Sequence, residues 1–182
     1  LDAVRLVGIQ GGYANLPEEH LEMEPFGVSY GYFKGDNLLP SLKDIENEIS
    51  NYIELTLTLC VSPEYFPELE LYLGETKSST KIESQSININ AKLPITVKSK
   101  DKSFTINRDF STKVNLKLGE QYHIAEQIIR KTIEDPDTID LTYISNRDYY
   151  IVAIPYDETT LLYTITDERN DVPFTFRFAN KF

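Results

Sequence analysis

Between Leu69 and Leu118 apolar and polar residues alternate with a period of two, and no other feature limits the fold as much. Leu69, Leu71 and Leu73 alternate with Glu70 and Tyr72. Ile87, Ile89, Ala91, Leu93, Ile95 and Val97 alternate with Asn88, Asn90, Lys92, Pro94, Thr96 and Lys98. Phe104 and Ile106, then Phe110, Thr112, Val114, Leu116 and Leu118, continue the pattern. Successive strand side chains point to opposite faces, so this reads as three strands with one buried and one wet face. The links around Ser84-Gln85 and Ser99-Lys100-Asp101-Lys102 are short and polar, which predicts antiparallel neighbours. Pro94 cannot donate to a ladder, so it marks an edge or a bulge.

Something apolar must cover the buried face. Residues 41–60 supply an amphipathic helix: Leu42, Ile45, Ile49, Tyr52, Ile53, Thr56, Leu57 and Cys60 recur every three or four positions. Ser41 with Asp44 forms a variant capping box, Lys43, Glu46, Asn47, Glu48, Ser50 and Glu54 fall on the wet side, and Pro63 and Pro67 end the pattern. A second helix is expected from Gly119 to about Ile133, with Ile124, Ala125, Ile128, Ile129 and Ile133 as its apolar face. Four further strands are expected around Ile139–Tyr143, Tyr149–Pro155, Leu161–Thr166 and Phe174–Phe178, with Asp-rich turns between them. Ahead of all this, residues 1–9 read as the last turns of a helix, stopped by Gly11-Gly12, whose earlier turns are expected upstream of Leu1. Residues 13–40 read as a loop-rich segment holding a short strand, Val28 to Phe33, and a turn at Lys34 to Asn37.

The order helix, three strands, helix, four strands predicts the α+β class: amphipathic helices packed on antiparallel sheet. Its 182 residues fit a single domain over 1–182, with two sub-units, 1–118 and 119–182, as the other division. A chain of this size needs neither disulfide nor metal to bury a core. The 18 Lys and Arg against 29 Asp and Glu give a net charge of −11. That excludes nucleic acid and anionic membrane as expected partners of the whole chain, because phosphate binding needs clustered cations. Cys60 is the single cysteine, so no internal disulfide and no cysteine-based zinc site can form. Its place on the apolar side of the first amphipathic helix predicts burial.

Chemistry-bearing residues are few. His20 with Glu18, Glu19, Glu22 and Glu24 is the densest potential metal set, but flanking Pro17 and Pro25 favour a solvated acidic loop. His123 lacks an identifiable nucleophile or orienting partner, and reads as a helix-start residue. Asp135, Asp137 and Asp140, or Asp167, Glu168, Asn170 and Asp171, offer oxygen ligands without the calcium-loop order, and read as turns. Gly8, Gly11 and Gly12 lack the Lys-Ser/Thr ending of a phosphate loop. No Gly-x-Ser-x-Gly and no N-glycosylation sequon occurs. Catalytic, cofactor and metal sites are therefore not expected. Tyr13, Tyr30, Tyr32, Tyr65 and Tyr156 form a candidate contact surface, since loop tyrosines add contact area at low entropic cost.

The arrangement resembles a group of uncharacterised archaeal proteins that begin with a prepilin-like hydrophobic membrane helix and continue as an extracytoplasmic domain. The resemblance rests on Gln10-Gly11-Gly12-Tyr13 after an apolar helix, on Val28-Ser29-Tyr30-Gly31-Tyr32-Phe33, on Leu93-Pro94-Ile95-Thr96-Val97 and on Phe174-Thr175-Phe176-Arg177-Phe178. It implies a removed N-terminal anchor and a cell-surface, extracytoplasmic location, and it implies no reaction. The expected function is non-enzymatic: structural, assembly or adhesion, through a protein or cell-envelope partner. The alternative is a small-molecule or glycan-binding module with a cleft between helix and sheet, lined from Tyr52, Phe104, Phe110, Tyr143 and Phe176. A carboxylate-based enzyme is a third reading, which needs a cleft-bound pair.

Overall fold

A computed structural model describes residues 1–61, 64, 66–99, 102–145, 148–169 and 173–182, with backbone only at Ser99 and Leu141. In order the elements are α1 (Asp2–Ile9), β1 (His20–Leu21), β2 (Val28–Phe33), β3 (Asp36–Asn37), α2 (Leu42–Thr56) and a 3-10 turn (Leu57–Cys60). There follow β4 (Glu70–Leu73), β5 (Lys77–Ile82), β6 (Ile87–Lys92), β7 (Ile95–Ser99), β8 (Lys102–Ile106) and β9 (Asp109–Val114). Then come α3 (Leu118–Glu134), α4 (Leu141–Ser145), β10 (Tyr150–Asp157), β11 (Thr160–Asp167) and β12 (Phe174–Lys181). The class is α+β.

The main sheet runs β1-β2-β12-β11-β10, with β3 attached to β2. It is antiparallel except where β12 lies parallel to β2. The first and last parts of the chain thus pair with each other. Phe174, Phe176, Phe178, Tyr163 and Ile165 point from one face of this sheet into a single core that also takes Val4 and Val7 of α1, Ile45 and Ile49 of α2, and Ala125 and Ile129 of α3. Tyr163 and Phe178 stack with ring centroids 5.0 Å apart, and burial pushes the Tyr163 phenol up to about 12. A smaller cluster of Leu21, Val28, Tyr30, Leu162 and Ala179 covers part of the opposite face.

The three expected strands of residues 69–118 are present, the second and third each broken in the middle, and an unexpected strand, β5, continues the first. β6 with β7 and β8 with β9 form one long hairpin. Its register passes from Ile95↔Ile106 to Lys92↔Asp109 without slip. β4 and β5 make the other strand, and there one extra residue is inserted, because Leu73 faces Ile95 while Lys77 faces Lys92. Such a bulge changes side-chain parity. It places Leu71 and Leu73 on the same face as Thr80 and Ile82. Leu93-Pro94 supplies the break on the middle strand, and the Pro94 carbonyl accepts the Gly74 N–H at 2.7 Å. The result is an inner half, β5-β6-β9, and an outer half, β4-β7-β8.

α2 lies along the open edge of β5. Glu46 accepts the Ile82 N–H at 2.9 Å, Glu54 accepts the Ser78 N–H at 2.7 Å, and Ser50 donates to Thr80 Oγ1 at 3.0 Å. Three helix positions one turn apart thereby occupy every second residue of an edge strand. Glu46 and Ser50, expected on the wet side, are buried because of this role. The capping box of Ser41 and Asp44 is present as expected.

Three other expectations fail. Ile139, Leu141 and Tyr143 do not form a strand: Asp140 accepts the Tyr143 N–H at 2.8 Å and starts α4, so three strands close the chain where four were expected. Cys60 is exposed, because the last turn of its helix tightens to 3-10 geometry and turns the thiol outward. Phe104, Ile106 and Phe110, expected against a core, are exposed, since β8 and β9 are the edge strands of the two halves, farthest from α2 on β5.

Candidate functional site

The five tyrosines do not share one surface. Tyr30 and Tyr32 are buried, because β2 is an interior strand flanked by β1, β3 and β12. Tyr13 is half-buried beside Asp44 and Glu48, and its phenol is raised first by burial and then by those carboxylates. Tyr65 lies outside the described residues. Tyr156 is 50% exposed and donates to the Glu22 carbonyl at 2.9 Å.

Tyr156 helps to frame a cavity of about 540 Å³ with His20, Glu22, Met23, Glu24 and Gly27. His20 Nδ1 sits 2.8 Å from the Pro17 carbonyl, so one ring nitrogen is committed to the loop itself. Among the described residues, no three His, Cys, Asp or Glu side chains are grouped to hold a metal ion. Glu18, Glu19, Glu22 and Glu24 form no ion pair among the described residues. The negative field there is felt by Tyr30, whose phenol is raised by burial and then by Asp157 and Glu19.

A second cleft, of about 380 Å³, opens at the first turns of α3 and is lined by Glu120, His123, Ile124, Gln127, Tyr143, Asp148 and Tyr149. The Tyr149 hydroxyl donates to Glu120, and the Arg169 guanidinium lies 4.5 Å over the Tyr149 ring. Burial and the Glu120 bond hold the Tyr149 phenol well above its ordinary value. Arg169 donates to Asp167 at 2.6 Å, and Lys117 stands 3.9 Å away. Burial pushes the Asp167 carboxyl up, but the Arg169 bonds and the two cations outweigh it, so it titrates below its ordinary value. His123 is exposed and stands 3.5 Å from Glu126, on the rim. Of the residues expected to line a cleft, only Tyr143 does so here; Phe176 is in the core, and Phe104 and Phe110 are on the meander. Asp135 accepts from Thr138 and Asp140 caps α4, which is turn chemistry. Asn170 and Asp171 lie outside the described residues. Gly11 and Gly12, at φ +78 and +106, stop α1, and Gly12 donates to the Val7 carbonyl at 2.8 Å.

The outer half of the meander is the third candidate. Leu73, Ile95 and Ile106 form one cross-strand row, and Leu71, Val97 and Phe104 form the next. These six apolar residues share one face. Phe104 is 58% exposed and Ile106 is 36% exposed. The opposite face carries Lys98, 4.6 Å over the Tyr72 ring, and the Thr96–Thr105 hydroxyl pair. α2 runs along β5 toward this half, with Glu54 accepting the Ser78 N–H at the end of β5 next to β4. The last turn of α2, the 3-10 turn and residues 66–69 carry Leu55, Leu59, Phe66 and Leu69, all at least 36% exposed. Solvated sheet faces normally alternate to polar residues. A concentration of large exposed apolar side chains marks an interaction surface. The sequence pattern assigned this face to the interior; Val97 is buried and Leu71, Leu73 and Ile95 are half-buried, but Phe104 and Ile106 on the edge strand β8 are exposed.

Comparisons with known proteins gave no match: no family model, no curated protein and no solved structure aligns with the chain. Among the described residues no helix is long and apolar enough to cross a membrane.

Proposed function

We propose that this is a non-catalytic docking domain that works at the cell surface, outside the cytoplasm, and binds a protein partner through the outer half of its three-stranded meander. The observation that carries this reading is the two-row apolar face ending in exposed Phe104 and Ile106, on a fold whose other sheet already has its own core. Burying such side chains stabilises a complex by roughly 25 cal/mol per Å² of apolar surface removed from water, before association costs. The anchored, outward-facing placement rests on the resemblance carried by Gln10-Gly11-Gly12-Tyr13, and is part of the proposal.

Cys60 provides the test, because it is exposed at the end of the turn that carries Leu59. In intact cells added protease should remove the domain, and Cys60 should react with an impermeant maleimide more slowly than in the purified chain. Phe104→Glu should restore the fast reaction. Protection from protease until lysis overturns the placement. Equal Cys60 reactivity in the two settings overturns the docking.

The cleft at Glu120, His123 and Tyr149 favours a second reading, a small-molecule or glycan-binding module. It has concave shape, an aromatic wall and convergent polar groups. A co-purifying molecule released by denaturation, and lost in Tyr149→Ala, supports that reading. A chain that never yields such a molecule removes it.

A further inference from the structure

Charge is divided unevenly along this chain. Residues 70–114, the meander, carry eight Lys and Arg against five Asp and Glu, whereas the rest of the chain carries ten against 24. The meander is thus a basic element on an acidic body. Its Lys92, Lys102, Arg108 and Lys113 have no ion pair among the described residues. Lys102 stands on the same face as Phe104 and Ile106, by strand parity. The outer face therefore combines an apolar surface with the unpaired cation of Lys102, while Lys92 and Lys113 fall on the opposite face of the inner half.

The complementary surface is on the same molecule. The open depression framed by Glu22, Glu24, Met23 and Tyr156 is partly apolar, and its two lining carboxylates, Glu22 and Glu24, form no ion pair among the described residues. Asp157 and Glu158, on the β10–β11 turn, stand beside Tyr156; Asp157 is 3.8 Å from Lys181, which offsets part of their charge. Phe26 is 42% exposed in the same segment. Within one copy the meander packs on α2, while this cavity lies between the β1–β2 hairpin and β10.

We propose, on the docking reading above, that the occupant of the outer face is a second copy of this chain, with Phe104 and Lys102 of one copy seated in the acidic cavity of the next. The two surfaces differ, so the contact is heterologous. Each added copy leaves one free outer face and one free cavity, and the assembly grows head to tail until it closes as a ring or extends as a filament. A symmetric face-to-face pair is disfavoured, because it would set Lys102 and Arg108 of two basic surfaces against each other.

The test is sedimentation of the purified chain over a concentration series. Species larger than a monomer are expected at ~10 mM salt, and the apparent Kd should rise by at least about tenfold at ~1 M NaCl, where the screening length is only about 3 Å. Phe104→Glu alone, and Glu22→Lys with Glu24→Lys, should each give folded monomers. Mixing these two variants should give a heterodimer and nothing larger, because each retains the surface that the other has lost. Far-UV circular dichroism and the urea midpoint check that each variant is folded.

A purified chain that stays monomeric at all concentrations and salts overturns the proposal, as does a mixture of the two variants that stays monomeric. If Cys60 is nevertheless shielded in cells, the docking reading stands and its partner is a different protein. If Cys60 is open in cells while the purified chain assembles, the docking reading falls and self-association belongs to the purified chain alone.

Discussion

Glu46 occupies a helix position that alternation assigns to solvent, yet its side chain is 3% exposed. The reason is the backbone of β5. An edge strand leaves N–H groups without a ladder partner, and a buried unpaired donor costs roughly 1–3 kcal/mol. Glu46 satisfies Ile82 and Glu54 satisfies Ser78. Glu46→Ala should therefore lower stability by roughly 1–3 kcal/mol, read from the urea midpoint, and Glu46→Gln by less, since its carbonyl can still accept. Lys43 and Lys81, which flank the carboxylate, are exposed, so their ion pairs contribute little. The pH dependence follows from the same geometry. Burial pushes the Glu46 carboxyl up, but the Ile82 N–H and the two lysines outweigh it, and it titrates below its ordinary value. A lowered folded value means stability that is fully present above the unfolded carboxylate pKa of about 4 and is lost as pH falls below it. Asp167 is lowered too, and adds to the same window. Urea midpoints should be level from neutral pH down to about 5 and then fall; in Glu46→Ala the acid limb should be shallower. Two of the positive-φ glycines, Gly11 and Gly35, give a paired comparison. A Cβ on Gly11 would stand 2.3 Å from Ser29 Oγ, whereas one on Gly35 meets nothing within 4 Å. Gly11→Ala should cost several times more stability than Gly35→Ala, whose cost of about 1 kcal/mol is backbone strain alone.

At the scale of elements, what the sequence reveals depends on whether the deciding force is local. Ser41 and Asp44 cap α2 within four residues, so the helix start is readable. The Gly11-Gly12 stop is readable for the same reason. β5 is not: Lys77-Ser78-Ser79-Thr80-Lys81 has polar residues on both faces, and the strand exists because α2 binds its edge from 24 to 36 residues away. The cavity wall at Tyr156 and Glu22 joins positions 134 apart, and no spacing announces it. The bulge between Leu73 and Lys77 is likewise silent, although it decides which way Leu71 and Leu73 point. Deleting Glu75, which is exposed, removes the extra residue and restores an unbroken strand. A one-residue slip sends a strand's whole set of side chains to the other face. Leu71 and Leu73 would then leave the apolar rows. Amide hydrogen exchange should show lost protection in β4, β7 and β8 with the main sheet unchanged. Unchanged protection throughout would show that the bulge does not set the face.

At the scale of the molecule, one core and one uneven charge distribution act together and can be separated by salt. The core joins α1, α2, α3, the main sheet and the inner meander, so the chain should unfold in a single transition. Phe176→Ala, in the middle of that core, should lower stability by roughly 3–5 kcal/mol and shift the midpoint of the whole transition down. Charge works against this core, because a net −11 repels itself in the compact state. Added salt screens the repulsion and should raise the urea midpoint of the monomeric Phe104→Glu variant. The same salt should weaken head-to-tail assembly, where opposite charges attract. The two effects have opposite signs in one molecule, so neither a general salting-out nor a general destabilisation can produce both. If the stability of the monomeric variant and the assembly of the wild-type chain both rise with salt, the contact is driven by apolar burial alone. The cations of the meander then do not select the partner.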